Sequence, residues 1–213
     1  FAEGAFSAAF VPQFAGYLEE NGREVARNYA EQVLSVLLWV LLIFVILFEV
    51  VMPWVVLGFA PGFASNPDKF NLAVLLSRIT FPYLLFISLV SLMSGLLNSL
   101  GKFAAAAATP ILFNLCLIGA VLWLANYTPT PAHALAWGVT FAGGVQFLWL
   151  LLHVGKAGVK LRLFSPRLTP PVRTMLRRIL PVAVGAGVYQ ISLLIDTIIA
   201  SLLPAGSISY LFF

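Results

Sequence analysis

Of the 213 residues, 61% are hydrophobic and only 9% are charged, where a soluble domain carries about 25% charged residues. So few charges cannot cover a folded surface of this size in water, which excludes a soluble monomer. The apolar content, with 14% aromatic residues, excludes disorder. The single Cys116 excludes a disulfide framework or a Cys-based zinc site, and two His far apart in sequence cannot make a metal cluster alone.

Six apolar segments follow one another along the chain: Phe1 to about Leu18, Tyr29 to Gly58, Leu72 to Leu100, Phe103 to Asn126, Ala132 to Gly155, and Arg178 to Leu203. About 20 helical residues cross a hydrocarbon core of roughly 30 Å, so each intact segment is long enough to span a bilayer. Pro and Gly gather between them, as in Ala60-Pro-Gly-Phe-Ala-Ser-Asn-Pro67 and Asn126-Tyr-Thr-Pro-Thr-Pro131. The alternating ten-residue pattern of a barrel strand is missing. The expected fold is an all-α polytopic membrane protein of about six transmembrane helices, forming a single bundle over residues 1–213. The chain opens on Phe1 with no Met or basic leader and closes on Tyr210-Leu-Phe-Phe213, so it reads as an internal segment of a longer protein.

Orientation comes from the cations. The linker 156–178 holds Lys156, Lys160, Arg162, Arg167, Arg173, Arg177 and Arg178, seven of the chain's twelve Lys and Arg, and no acid. The positive-inside rule places it in the cytoplasm, in contact with anionic membrane lipid. The same count puts Arg23, Arg27 and Lys102 inside and the Pro61–Phe70 and Asn126–Pro131 loops outside. A nucleic-acid partner is not expected without a soluble domain to present these cations.

Pro12, Pro53, Pro82, Pro110 and Pro181 fall within or near five of the spans; each removes a backbone donor and bends its helix, as bundle curvature or as a hinge. Small residues in Gly185-Ala-Gly187 and Ala104–Ala108 would let helices approach closely. Ionisable residues at membrane depth are functional candidates by default: here Glu3, Glu49, Arg78 and Asp196. Arg78 is long enough to snorkel, and Glu49 lies near Pro53. Asp196 is too short to reach the interface and must face protein or water, as a proton or cation site or as a satisfied hydrogen-bond partner. Ser192, one turn earlier, shares its face. Glu3, with Ser7 four residues on, lies among Gly4, Ala5, Ala8 and Ala9, a face suited to a wet cavity. Asn98 and Asn114 read as interhelical hydrogen-bond partners, and His133 and His153 as interfacial residues. No phosphate-binding Gly loop, HExxH or GxSxG occurs, so an enzyme is not expected. Transporter, channel and scaffold remain.

Several stretches, in order, resemble the lipid II flippases of the MurJ/MviN family. They are Phe1-Ala-Glu-Gly-Ala-Phe-Ser-Ala-Ala-Phe-Val-Pro12, Ala60-Pro-Gly-Phe-Ala64, Ile79-Thr-Phe-Pro-Tyr83, Leu97-Asn-Ser-Leu-Gly-Lys-Phe103, Pro110-Ile-Leu-Phe-Asn114, Gln190-Ile-Ser-Leu-Leu-Ile-Asp-Thr-Ile-Ile-Ala200 and Ala205-Gly-Ser-Ile-Ser-Tyr210. The resemblance implies helices two to seven of a fourteen-helix, two-lobe exporter, mostly its N-terminal lobe. It implies a transporter of the bacterial inner membrane that flips the undecaprenyl-pyrophosphate-linked peptidoglycan precursor, lipid II, from inner to outer leaflet for cell-wall synthesis. The expected partners are that precursor and membrane lipids. By the same resemblance Glu3 and Ser209, with Ser7, line the substrate cavity, and Asp196 is placed for a coupling cation, Na+ or H+, with no other cofactor implied. The family's cavity arginines fall in helices flanking this segment. The alternatives are a related polysaccharide-unit flippase, a drug/cation antiporter, or a non-transporting membrane scaffold.

Overall fold

The computed structural model describes residues 2–203; of residues 2–7, Val182, Ala183, Ala186, Val188 and Tyr189 it describes the backbone but not the side chains. All regular structure among the described residues is helical: α1 (Ala2–Phe59), α2 (Pro67–Thr80), α3 (Tyr83–Ser99), α4 (Phe103–Ala107), α5 (Thr109–Trp123), α6 (Pro131–Lys156) and α7 (Pro170–Ser201), with short 3-10 turns at Pro61–Ser65 and Leu124–Tyr127. Four helical stretches are long and apolar enough to cross a membrane: Ala8–Phe59, Pro67–Ser99, Phe103–Tyr127 and Pro131–Lys156.

The first of these stretches supplies two of the six expected spans. At Gly22 the backbone leaves the helical region (φ 81°, ψ 176°), a left-handed conformation that favours glycine. The chain reverses there. The rings of Phe10 and Tyr29 lie 5.7 Å apart, whereas 19 positions of straight helix would separate them by about 28 Å. Tyr29 also donates a hydrogen bond to Gln13 Oε1 at 2.9 Å. The sixth expected span lies in α7, which begins at Pro170, eight positions before the predicted start. Arg173, Arg177 and Arg178 are therefore helical, and the irregular part of the basic linker is confined to residues 157–169.

The core gathers the first half of α1 (Phe10, Phe14), its second half (Ala30, Val33), α3 (Leu92, Met93, Leu96, Leu97), α6 (Leu150, Val154) and the start of α7 (Val172, Met175). α6 packs between α3 and α5 through two glycines. A Cβ on Gly143 would sit 2.8 Å from Phe86 Cβ and from Tyr83 Cδ2, and one on Gly138 would sit 2.7 Å from Ala120 Cβ. Of the expected close approaches, that at Ala104–Ala108 forms against α6, with Ala105 buried and its carbonyl 3.1 Å from Trp149 Nε1, whereas Gly185 and Gly187 have no described neighbour within 4 Å of a Cβ position.

At two proline interruptions, side chains supply donors to nearby carbonyls, which a bilayer would leave without water. Pro110 has no amide to offer the Ala106 carbonyl, and the Thr109 hydroxyl donates to it at 2.8 Å. Across the same break, Trp149 Nε1 donates to the Ala105 carbonyl at 3.1 Å and Gln146 Nε2 to the Thr109 carbonyl at 2.8 Å. At Pro82 the helix ends and restarts as α2 and α3, and Thr140 of α6 donates to the Ile79 carbonyl. The expected interhelical roles of Asn98 and Asn114 fall instead to Gln146, Trp149 and Thr140. Both Asn are exposed, and neither side chain bonds to a described residue.

Candidate functional site

The bundle has a basic end, where the linker runs, and a far end, where the Pro61–Ser65 turn lies. At the basic end the polar groups are spent on structure. Glu31 is 2% exposed; its Oε1 accepts the Arg162 backbone amide at 3.0 Å and lies 3.7 Å from Arg27 Nε. One turn on, the buried Ser35 hydroxyl donates to the Glu31 carbonyl at 2.8 Å and accepts the Phe164 amide at 3.0 Å. Gln32 Oε1 takes the Thr169 hydroxyl at 2.6 Å. Three consecutive-face side chains of α1 thus hold an eleven-residue extended strap whose own backbone makes almost no regular bonds. Sequence reasoning missed this set. The available signal was Arg27 four residues before Glu31, and Glu31 four before Ser35, one polar stripe on an otherwise apolar helix.

Between the first half of α1 and the start of α7, also at the basic end, a cleft of about 430 Å³ is lined by Gln13, Tyr17, Glu20, Thr174 and Arg178. Gln13 Nε2 is buried there without a hydrogen-bond partner. The helix that carries Glu3 and Ser7 and the helix that carries Asp196 are therefore neighbours, with a polar opening between them. The side chains of Glu3 and Ser7, and all of Ser209, lie outside the described residues.

Asp196 is exposed, as is Ser192 one turn before it. Asp196 makes no hydrogen bond or ion pair with a described residue, while its neighbour Thr197 bonds back to the Leu193 carbonyl at 2.7 Å. The Asp196 face looks away from the packed helices. Along α7, Leu180, Val184, Ile191, Ile195 and Ile199 are also exposed, so the carboxylate sits within a broad apolar surface. At the tip of α7, Ser201 is tied to the Pro61–Ser65 turn: Gly62 N donates to Ser201 Oγ at 3.3 Å. A Cβ on Gly62 would come within 1.9 Å of the Ser201 carbonyl oxygen, so only glycine fits.

Glu49 and Arg78 are brought together, and the hydrogen bond between them runs to the backbone. Arg78 Nε donates to the Glu49 backbone carbonyl at 3.0 Å. Because α2 starts at Pro67, Arg78 lies about three turns into its helix rather than less than two. His133 and His153 sit at opposite ends of α6, bonded to Thr130 and to the Trp149 carbonyl, each at 2.8 Å. No cluster of three or more His, Cys, Asp or Glu able to hold a metal occurs among the described residues.

The sequence model of the family described as "Lipid II flippase MurJ" matches residues 1–213. The chain belongs to this family. A probable lipid II flippase MurJ of Rhizobium tropici is 44% identical over 94% of the chain, and the lipid II flippase MurJ of Burkholderia cenocepacia is 36% identical over 99% of it. A solved lipid II flippase MurJ in an inward closed conformation superposes with a TM-score of 0.72 at 26% identity, over 99% of this chain. The chain spans 38% and 42% of the two relatives' lengths and 42% of the solved chain. The MurJ membership accounts for the helical, multi-pass membrane character and for the resemblance carried by the motifs at Phe1–Pro12 and Ala60–Ala64.

Proposed function

We propose that the whole protein flips lipid II from the inner to the outer leaflet of a bacterial inner membrane by alternating access, supplying cell-wall synthesis, and that it catalyses no chemical reaction. The observation that carries this reading is a family match over every residue, joined to a helical bundle in which an exposed face of α7 bears Asp196. In this reading the open face, the first half of α1 and the segment after α7 line the path, with Glu3, Ser7 and Ser209 in it. Glu3 orients arginines from flanking helices against the pyrophosphate, since guanidinium forks match phosphate oxygens. Ser209 offers the headgroup a neutral hydrogen bond.

Asp196 serves the coupling cation, H+ or Na+. The carboxylate has a hydroxyl, Ser192, on its own face and no ion pair with a described residue, which leaves it free to take either. The basic strap faces the cytoplasm and the Pro61–Ser65 turn the outside. Membrane lipid is the other partner, and nucleic acid is not one.

The test is lipid II flipping by the full-length protein in vesicles, with Cys116 replaced and Ser209→Cys introduced. A bulky cationic thiol reagent should abolish flipping by plugging the path, while an impermeant reagent on whole cells should label Ser65→Cys and spare Ser165→Cys. Unchanged flipping after complete modification would remove Ser209 from the path. Labelling of Ser165→Cys but not Ser65→Cys would reverse the orientation.

A further inference from the structure

Pro53 interrupts the second half of α1 four residues after Glu49, and a proline has no amide to give the carbonyl one turn behind it. In hydrocarbon no water replaces that donor. Arg78 of α2 does so, with Nε 3.0 Å from the Glu49 carbonyl oxygen. The two helices are already in register at this level. Phe48 and Phe81 stack at 5.3 Å, and Met52, Val56 and Val74 form a small buried cluster beside them.

What lies beyond Pro53 gives the contact its consequence. Residues 54–59 lead into the Pro61–Ser65 turn, and the backbone of Gly62 is seated directly against Ser201, little more than one turn past Asp196. The course of α1 past Pro53 therefore bears on where the tip of α7 sits. Two of its determinants are the missing proline amide and the guanidinium that replaces it.

We propose that Arg78 is a positioning residue that stands in for the amide Pro53 lacks, fixing the kink of α1 and, through the Gly62–Ser201 seat, the placement of the Asp196 face. Arginine suits the task because it stays protonated in a low-dielectric setting and keeps a fixed fork of donors, with Nε committed to the carbonyl. The other four guanidinium donor hydrogens stay available to the interface or to the Glu49 carboxylate, whose Oε1 is buried without a partner among the described residues. The hydrogen bond that holds Arg78 is to the Glu49 carbonyl. The link to Asp196 rests on the transport reading, while the kink itself does not.

The discriminating experiment pairs Arg78→Met, which keeps the chain's bulk and removes every donor, with Pro53→Ala, which restores the amide. Full-length protein carrying Ser192→Cys, with Cys116 replaced, is assayed for labelling rate by a soluble thiol reagent and for lipid II flipping. Arg78→Met should shift the labelling rate and lower flipping by about tenfold, the scale of one buried carbonyl left unpaired. Arg78→Met with Pro53→Ala should return both to the level of Pro53→Ala alone. Wild-type behaviour of Arg78→Met overturns the proposal. So does a defect that persists in the double variant, which would assign Arg78 to a role of its charge. If Arg78→Met does not accumulate, recovery of folded protein in the double variant supports the proposal and continued absence refutes it. A labelling shift that is rescued while no variant, wild type included, flips lipid II would retire the transport reading and leave the positioning role standing.

Discussion

α6 and α7 carry the same kind of sequence, long apolar helices with paired small residues and a polar group at depth, and they are used in opposite ways. α6 is wedged between α3 and α5, with Gly138 and Gly143 in contact with neighbouring side chains and Gln146 buried and bonded to the Thr109 carbonyl at the start of α5. α7 touches the bundle along one side. Its Gly185 and Gly187 face open space, and Asp196 is exposed and unpaired among the described residues. A small residue or a buried-type polar group is thus no indicator of function by itself. What separates the two helices is whether the described structure uses the group. In α6, Gly138, Gly143 and the Gln146 amide nitrogen are taken up by neighbouring helices; in α7, Gly185, Gly187 and Asp196 are not engaged by any described residue.

The largest effect should come from filling the α6 contacts. Gly143→Leu forces a branched side chain where even a Cβ is too close to Phe86 and Tyr83, so it should cost at least the ~1–3 kcal/mol typical of overpacking and lower the thermal midpoint of the detergent-purified protein or abolish its accumulation. Gly187→Leu, with an open Cβ position, should leave that midpoint within the range of a surface change, about 0.5 kcal/mol. Equal destabilisation by both would erase the distinction between the two helices.

A middle-sized effect is expected at the basic end. Glu31→Ala leaves the Arg162 amide without its acceptor and removes the partner of a half-exposed Arg27, worth about 1–3 kcal/mol through the unpaired amide; the Arg27 contact adds little because solvent screens it. Trypsin applied to membranes open on that side should cut at Arg162 and Arg167 markedly faster in Glu31→Ala than in wild type. An unchanged cleavage rate would mean that the strap is held by apolar contacts alone.

The number of helices and their all-α class were legible because hydrophobic length is set by the bilayer, and the basic linker stood out because charge is so scarce. The reversal at Gly22 could be placed only between Glu19 and Asn28, since the turn depends on one left-handed residue. The start of α7 was missed because Pro170-Pro171 reads as a helix breaker, whereas at the first helical positions a missing amide costs nothing. Glu31 escaped notice because it follows a charged loop and looks like its continuation; only the fold shows that it is buried beneath the strap. Arg78 was read as snorkelling because its helix was started too late, and its carbonyl partner is invisible to any pattern of side chains. Asp196 was singled out by depth alone; it is exposed on α7 and has no partner among the described residues.

The central claim is that α7 presents an unused acid to a path rather than to the fold. Asp196→Asn in the full-length protein tests it most directly, with lipid II flipping and thermal midpoint measured on the same preparation. The account predicts flipping reduced by about tenfold or more, on the scale of losing one charged contact, with the midpoint unchanged because no described residue depends on that carboxylate. Full flipping under every ion gradient and membrane potential applied, or a midpoint lowered as far as in Gly143→Leu, would contradict it.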